Sequence, residues 1–233
     1  MKKLIVVTGG TKGIGKAIIQ RFASEGFDIA TCARSGKDLK ALEKELKQSH
    51  ASIDVIAHRA DLSKKEDVKS FLSALKSRKV DLLVNNTGVF LPGQIHREKP
   101  GTLEKMIETN LYSAYHISRG LIPAMIRRKS GNIFNICSTA SITPYVNGGS
   151  YCISKFALYG MTKVLREEMK EHNIRVTAVL PGATLTSSWE GVDLPSERFM
   201  KPEDVADAIW GVYNLSGQSV VEEILIRPQL GDI

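Results

Sequence analysis

The sequence predicts an α/β fold, a parallel sheet with helices on both faces, and three observations carry that expectation. An apolar, β-branched run, Leu4-Ile5-Val6-Val7-Thr8, leads directly into a glycine-rich turn and then into apolar positions at helical spacing. The same alternation of short apolar run and amphipathic segment recurs along the chain, which is the pattern of parallel strands joined by crossover helices. No linker, repeat or low-complexity tract divides the 233 residues, 42% of them hydrophobic, so a single domain over 1–233 with one sizeable core is expected.

Residues 4 to 8 read as the first strand. Met1-Lys2-Lys3 faintly resembles the start of a signal peptide, but the apolar run stops at Thr8 and glycines stand where a cleavage region belongs, so a strand is expected rather than a leader. The turn Thr8-Gly9-Gly10-Thr11-Lys12-Gly13-Ile14-Gly15 opens a helix marked by Ile14, Ala17, Ile18 and Phe22. Gly9, Gly13 and Gly15 let the backbone approach a pyrophosphate while the first N–H groups of the helix point at it; glycines also serve as plain loop punctuation. Gly26 ends the helix, and a second strand spans 27 to 33. An NAD site places an acid at the end of that strand for the ribose 2′-hydroxyl, yet the nearest acids are Asp28, at its start, and Asp38, beyond it. Arg34 takes the place instead, and Lys12 has the reach to join it.

Leu39, Leu42 and Leu46 mark the next helix, 53 to 58 the third strand, and Val68, Phe71, Leu72 and Leu75 a third helix. Asp61 and Ser63, between them, are candidate caps for that helix; Asp61 is equally placed to meet an adenine amino group. Strand four covers 80 to 84 and leaves through Asn85-Asn86-Thr87-Gly88. A long helix is predicted from about Leu103 to Arg127, with Met106, Ile107, Asn110, Leu111, Ala114 and Ile117 on one side. Asn110 in that stripe needs partners, either as a satisfied core amide or as a functional one. Strand five, 132 to 137, ends in Ser138-Thr139-Ala140-Ser141, and a helix follows from about Tyr151 to His172. Strand six, 174 to 180, runs into Pro181-Gly182; a loop of mixed character, a helix opening Lys201-Pro202-Glu203-Asp204 and a last strand near 220 to 226 complete the chain.

Tyr151 and Lys155, four residues apart, share one helix face. A free phenol, with a pKa of about 10, is a poor proton donor or acceptor at neutral pH. A lysine ammonium beside it favours the phenolate and lowers that value, which suits a general acid or base. The pair also arises by chance, so its weight comes from the rest of the chain.

Composition narrows the function classes. The net charge of +7 is spread over apparent helix faces with no basic run interleaved with aromatics, so no nucleic-acid partner is expected. No apolar run approaches bilayer length, and no membrane partner is expected. Cys32, Cys137 and Cys152 are odd in number and lack metal-ligand spacing; they suggest reduced thiols in a cytoplasm, and no metal.

Thr8-Gly9-x-x-x-Gly13-x-Gly15, Asp61, Asn85-Asn86-x-Gly88, Asn110, Ser138, Tyr151-x-x-x-Lys155 and Pro181-Gly182-x-x-x-Thr186 fall in the order and spacing of the short-chain dehydrogenase/reductase family, which the chain resembles over nearly its whole length. It departs at Thr87, usually alanine, and at Cys137 and Ser141, commonly serine and glycine. The resemblance implies a Rossmann-type fold of seven parallel strands in the order 3-2-1-4-5-6-7. It also implies that Tyr151 donates a proton to the substrate oxygen as hydride arrives from the nicotinamide. Lys155 then tunes Tyr151 and binds the nicotinamide ribose, Ser138 holds the carbonyl oxygen, and Asn110 holds a water in a proton relay. Cofactor contacts carried over are Gly9, Thr11, Lys12, Gly13, Ile14, Gly15, Arg34, Asp61, Asn86, Gly88, Tyr151, Lys155, Pro181, Gly182, Thr184 and Thr186. Relatives are often dimers or tetramers through the helices near Asn110 and Tyr151.

The expected function is therefore NADPH-dependent reduction of a small-molecule ketone or aldehyde, the cofactor being NADP(H). The alternatives are an NAD-dependent secondary-alcohol dehydrogenase, disfavoured by the missing acid, and a non-catalytic NADP-sensing protein, disfavoured by the complete set of catalytic residues. Val89, Phe90, Leu91, Thr139, Ile142, Tyr145, Trp189, Leu194 and Phe199 are the candidates for a mostly apolar pocket. Residues 184–200 follow strand six beside the nicotinamide end, so a substrate lid is expected there, with Trp189 touching substrate or else buried against the last helix.

Overall fold

The unbroken apolar run of β1 (Leu4–Thr8) is buried along its whole length, as a central strand covered on both faces requires. In the computed structural model, which describes residues 2–189 and 191–233, β1 is joined by β2 (Asp28–Ala33), β3 (Val55–Arg59), β4 (Val80–Asn85), β5 (Gly131–Ile136), β6 (Ile174–Pro181) and β7 (Glu223–Ile226). All pair in parallel in the order 3-2-1-4-5-6-7. The order reverses between β1 and β4, which opens a crevice at the carboxyl ends of the strands.

Alternate residues of each strand feed opposite layers. Ile5, Val7, Ile29, Leu82 and Val84 meet α1 (Gly13–Ser24), α2 (Gly36–Ser49) and α7 (Pro202–Tyr213) through Ile18, Phe22, Leu42, Leu46, Val205 and Ile209. Leu4, Val6, Ala30, Leu83 and Val176 meet α3 (Lys65–Ala74) and α5 (Ser113–Arg128) through Val68, Phe71, Ile117, Leu121 and Met125. Leu158 of α6 (Gly149–Met169) packs with Ala178 and Leu180 of β6.

Several boundaries differ from the sequence expectation. The third strand is displaced to 55–59, the last is confined to 223–226, and α6 starts at Gly149 rather than Tyr151. The long helix foreseen from Leu103 to Arg127 is α4 (Thr102–Ile107), a π-helical turn at Glu108–Tyr112, and α5. A single wide turn inserts one residue and leaves the apolar stripe nearly in phase, so periodicity does not reveal it. The 184–200 segment is not structureless: Thr184 pairs with Met200, Met200 N donates to the Ala183 carbonyl at 3.0 Å, and 3-10 turns form at Ser187–Trp189 and Ser196–Arg198. Glu190, within it, lies outside the described residues.

Candidate active site and cofactor cleft

At the carboxyl end of β1 the chain turns with φ of 67° at Gly9 and 50° at Gly13, conformations in which side chains are strained. Gly15 is required by close approach. A β-carbon there would strike the Asn86 amide and stand 2.5 Å from the Gly9 carbonyl oxygen. Asn86 Nδ2 donates to the carbonyls of Thr8 and Gly9, both at 3.0 Å, and the Thr8 hydroxyl accepts from the backbone N–H groups of Asn86 and Thr87. The exit of β4 thus buttresses the turn, and α1 begins behind it with neither a side-chain cap bond nor an acid in its first turn. Such an N-terminus favours an anion.

Tyr151 and Lys155 stand in the first turns of α6. Lys155 is 5% exposed; its Nζ donates to the Ile136 carbonyl at 2.8 Å and lies 5.8 Å from the centre of the Tyr151 ring. Burial pushes its pKa down to about 8, with Cys137 acting the other way. Burial also pushes the Tyr151 phenol above its usual value, against the lowering effect of the Ser138 hydroxyl. The net direction is upward, where a lowering by Lys155 was expected. With the ammonium turned to Ile136, desolvation wins and Tyr151 is protonated through neutral pH.

Ser138 opens a 3-10 turn at Thr139–Ser141, its hydroxyl accepting from Ala140 N at 3.1 Å. The Tyr151 ring meets Phe90 edge-on, 4.9 Å between centres. Asn110 sits in the π turn with no exposure, and its amide is fully engaged: Oδ1 accepts from Val89 N at 2.7 Å, and Nδ2 donates to the Val89 carbonyl at 3.0 Å and to the Ser154 hydroxyl at 2.9 Å. Asn110 is thus a satisfied core amide, and it ties the β4 exit to the helix of Tyr151.

At the opposite end, Arg34 is exposed and Lys12 Nζ lies 3.7 Å from Asp38 Oδ2. Ser35 caps α2, accepting from Asp38 N at 3.2 Å. Burial works against the Asp61 charge, but the hydroxyl and backbone N–H of Ser63, with Arg34 nearby, hold its carboxyl below the usual value. Asp61 and Ser63 therefore bind each other instead of capping α3, whose N-cap is Lys64.

These parts line one cavity of about 960 Å³. Of the residues singled out in the sequence as catalytic or cofactor-binding, all line it except Gly15, behind the turn, and Asn110, behind Val89. Of the substrate-pocket candidates, Val89, Phe90, Thr139, Tyr145 and Trp189 face the cavity; Leu91, Ile142, Leu194 and Phe199 do not. Trp189 packs edge-on against Phe199, 5.1 Å between centres, so it is not core against the last helix. Trp210, within the last helix itself, is the tryptophan that packs inward, 5.2 Å from Phe22 between ring centres.

Sequence reasoning missed Asp38, Lys105, Glu108, Thr109, Thr143, Asp232 and Ile233 as lining residues. Lys105 and Glu108 were findable as the polar neighbours of Asn110 in the same helical stretch. Asp232 was not: it comes in after β7, accepting from Arg227, while its carbonyl takes Arg198 Nη2 at 3.4 Å.

A family model described as short chain dehydrogenase matches residues 3–195. A protein of Chlorobaculum tepidum called sepiapterin reductase is 33% identical over 100% of this chain and 99% of its own. Among solved structures, a metagenomic short-chain oxidoreductase in complex with NADP superposes with a TM-score of 0.84 at 33% identity, covering 97% of each chain. An alcohol dehydrogenase of the archaeon Thermococcus sibiricus, complexed with 5-hydroxy-NADP, gives 0.91 at 27% identity over 98% of this chain and 97% of that one.

Proposed function

The chain belongs to the short-chain dehydrogenase family, and on that premise we propose that it reduces a ketone or aldehyde with NADPH, Tyr151 giving the proton. One observation carries the reading: Tyr151, Ser138 and Lys155 line the same cavity as the glycine turn and Arg34. The cavity suits the cofactor, because the positive φ of Gly9 and Gly13 and the uncapped start of α1 form a cradle that β-carbons would fill. In it Thr11, Gly13 and Ile14 hold the pyrophosphate, Asp61 the adenine amino group, and Lys12 and Arg34 the 2′-phosphate. Asn86, Gly88 and Lys155 hold the nicotinamide ribose, and Pro181, Gly182, Thr184 and Thr186 the carboxamide. NADPH, when bound, supplies the hydride.

The chain's own residues do the rest. The half-buried, protonated phenol of Tyr151 gives its proton to the carbonyl oxygen, and the Ser138 hydroxyl donates to the same oxygen as charge develops there. The Lys155 ammonium stabilises the phenolate left behind. Phe90, Tyr145 and Trp189 wall the substrate end, and the 184–200 segment closes over it as a lid that excludes water. The protein works as a dimer or tetramer in the cytoplasm, where its three buried thiols stay reduced.

The test is NADPH consumption against a panel of ketones, quinones, aldehydes, ketoacyl thioesters and pterins, with sepiapterin first because of the relative named above. Tyr151→Phe loses reduction while NADPH binding stays within about twofold, since only the proton donor is removed; near-normal turnover in that variant rules out the assignment. A second reading, NAD-dependent alcohol oxidation, is favoured by Asp38, an acid beside the proposed phosphate-binding Lys12. Equal affinities of the unmodified protein for NADH and NADPH would remove the basis of the NADPH reading, and tighter NADH would select the second.

A further inference from the structure

Tyr151 lies in the first turn of α6, and that turn receives no cap from its own N-cap residue, Gly148. The cap comes from another segment of the chain. The Glu98 carboxylate accepts from Ser150 N at 2.8 Å through Oε1 and from the Ser150 hydroxyl through Oε2. Ser150 is 1% exposed and immediately precedes Tyr151. A carboxylate at this point satisfies helix N–H groups and is favoured by the helix dipole.

The approach is built into the surrounding backbone. A β-carbon on Gly149 would strike Glu98 Oε1 and stand 2.6 Å from the Gly93 carbonyl oxygen, and one on Gly93 would stand 2.8 Å from Glu98 Cγ. Gly93 pairs with Gly148 in a parallel bridge, its N–H donating to the Asn147 carbonyl at 2.9 Å, and Gln94 Nε2 donates to Asn147 Oδ1 at 3.1 Å. The segment from Val89 to Glu98 is thus held at one end by Asn110 and at the other by the first turn of α6.

We propose that Glu98 is a positioning residue for the reaction: it does not line the cavity, and it fixes the first turn of α6 so that the Tyr151 phenol stays aligned with Ser138 and the substrate oxygen. The inference rests on Tyr151 being the proton donor. A reacting group misplaced by about 1 Å loses on the order of a hundredfold in rate, so a remote cap is a sensitive control point.

Three variants test it, each assayed for kcat, KM, NADPH affinity by cofactor fluorescence, and thermal midpoint. Glu98→Ala lowers kcat by about tenfold or more with NADPH affinity within about twofold. Glu98→Gln, whose amide oxygen still accepts from Ser150 N, recovers most of the loss. Ser150→Ala, losing only the hydroxyl bond, falls between the alanine variant and the unmodified protein. Unchanged kcat in Glu98→Ala overturns the proposal. So does a parallel loss of turnover, cofactor affinity and stability without rescue by glutamine, which marks a merely structural cap. Tyr151→Phe is measured alongside: turnover by that variant refutes the proton-donor assignment, whereas an inactive Tyr151→Phe beside a fully active Glu98→Ala refutes the Glu98 role alone.

Discussion

Lys155 is held where its charge is expensive, and the cost has a pH signature. Its pKa falls from 10.5 to about 8 on burial, so between those values the folded chain has released a proton that the unfolded chain still binds. Stability therefore rises with pH across that window, by up to about 3 kcal/mol for this one group, and the penalty is fully present below about pH 8. Lys155→Met removes the penalty and the activity together. Measured by chemical denaturation, the variant's stability relative to the unmodified protein should decline as pH goes from 8 to 10; a constant difference would contradict the burial argument. At the other end of the cleft Asp38 pairs with Lys12, and in the proposed NADPH complex it would compete with the 2′-phosphate for that ammonium. Exposed pairs of this kind contribute about 0.2–1 kcal/mol, so Asp38→Asn should tighten NADPH by about 1.4-fold to fivefold and leave NADH unchanged. Arg34→Ala should weaken NADPH by about tenfold and NADH little, since a charge-assisted hydrogen bond is lost only with the phosphorylated cofactor. Both effects should shrink as salt is added, and titrations of the two cofactors at low and high ionic strength would show whether they do.

Two elements shape the cavity from outside the sheet. The π turn at Glu108–Tyr112 is one: it seats Asn110, so that one amide bonds Val89 at the end of β4 and Ser154 on α6. The 184–200 segment is the other. Its ends are fastened by the Thr184–Met200 pairing, while Leu185, Val192 and Leu194 between them are exposed. Thr184, Thr186 and Trp189 reach the cavity from it. A segment anchored at both ends and thinly packed between them is suited to closing on a ligand. Trp189→Ala should raise KM for the best substrate by about tenfold with NADPH affinity unchanged, as expected for loss of one large apolar contact. Protease cutting within 187–199 should slow when cofactor and substrate are both present. Easier unfolding with unaltered kinetics would instead make Trp189 a support for Phe199 only.

For the whole molecule, association is the main consequence still to be tested. The outward sides of α5 and α6 carry Tyr115, Ile153, Phe156 and Val164 with 42%, 41%, 43% and 57% exposure, and Tyr112 stands beside them in the π turn. If these helices form the subunit contact, the double substitution Tyr115→Arg and Phe156→Arg buries two unpaired charges and should reduce the sedimenting mass to that of one chain. An unchanged mass would move the contact elsewhere. Local sequence accounts for the alternation of strands and helices, the glycine turn and the spacing that brings Tyr151 and Lys155 to one face. Each of these is written in local periodicity or in a residue type that a backbone conformation demands. Tertiary structure alone decided what depends on neighbours distant in the chain. It set the sign of the Tyr151 shift, because the Lys155 ammonium spends its bond on Ile136 and desolvation prevails. It brought Asp38 against Lys12, Asp232 into the wall of the cavity and Glu98 onto the turn before Tyr151. Those contacts arise from packing separate elements around one sheet, and side-chain spacing along a single element carries no record of them.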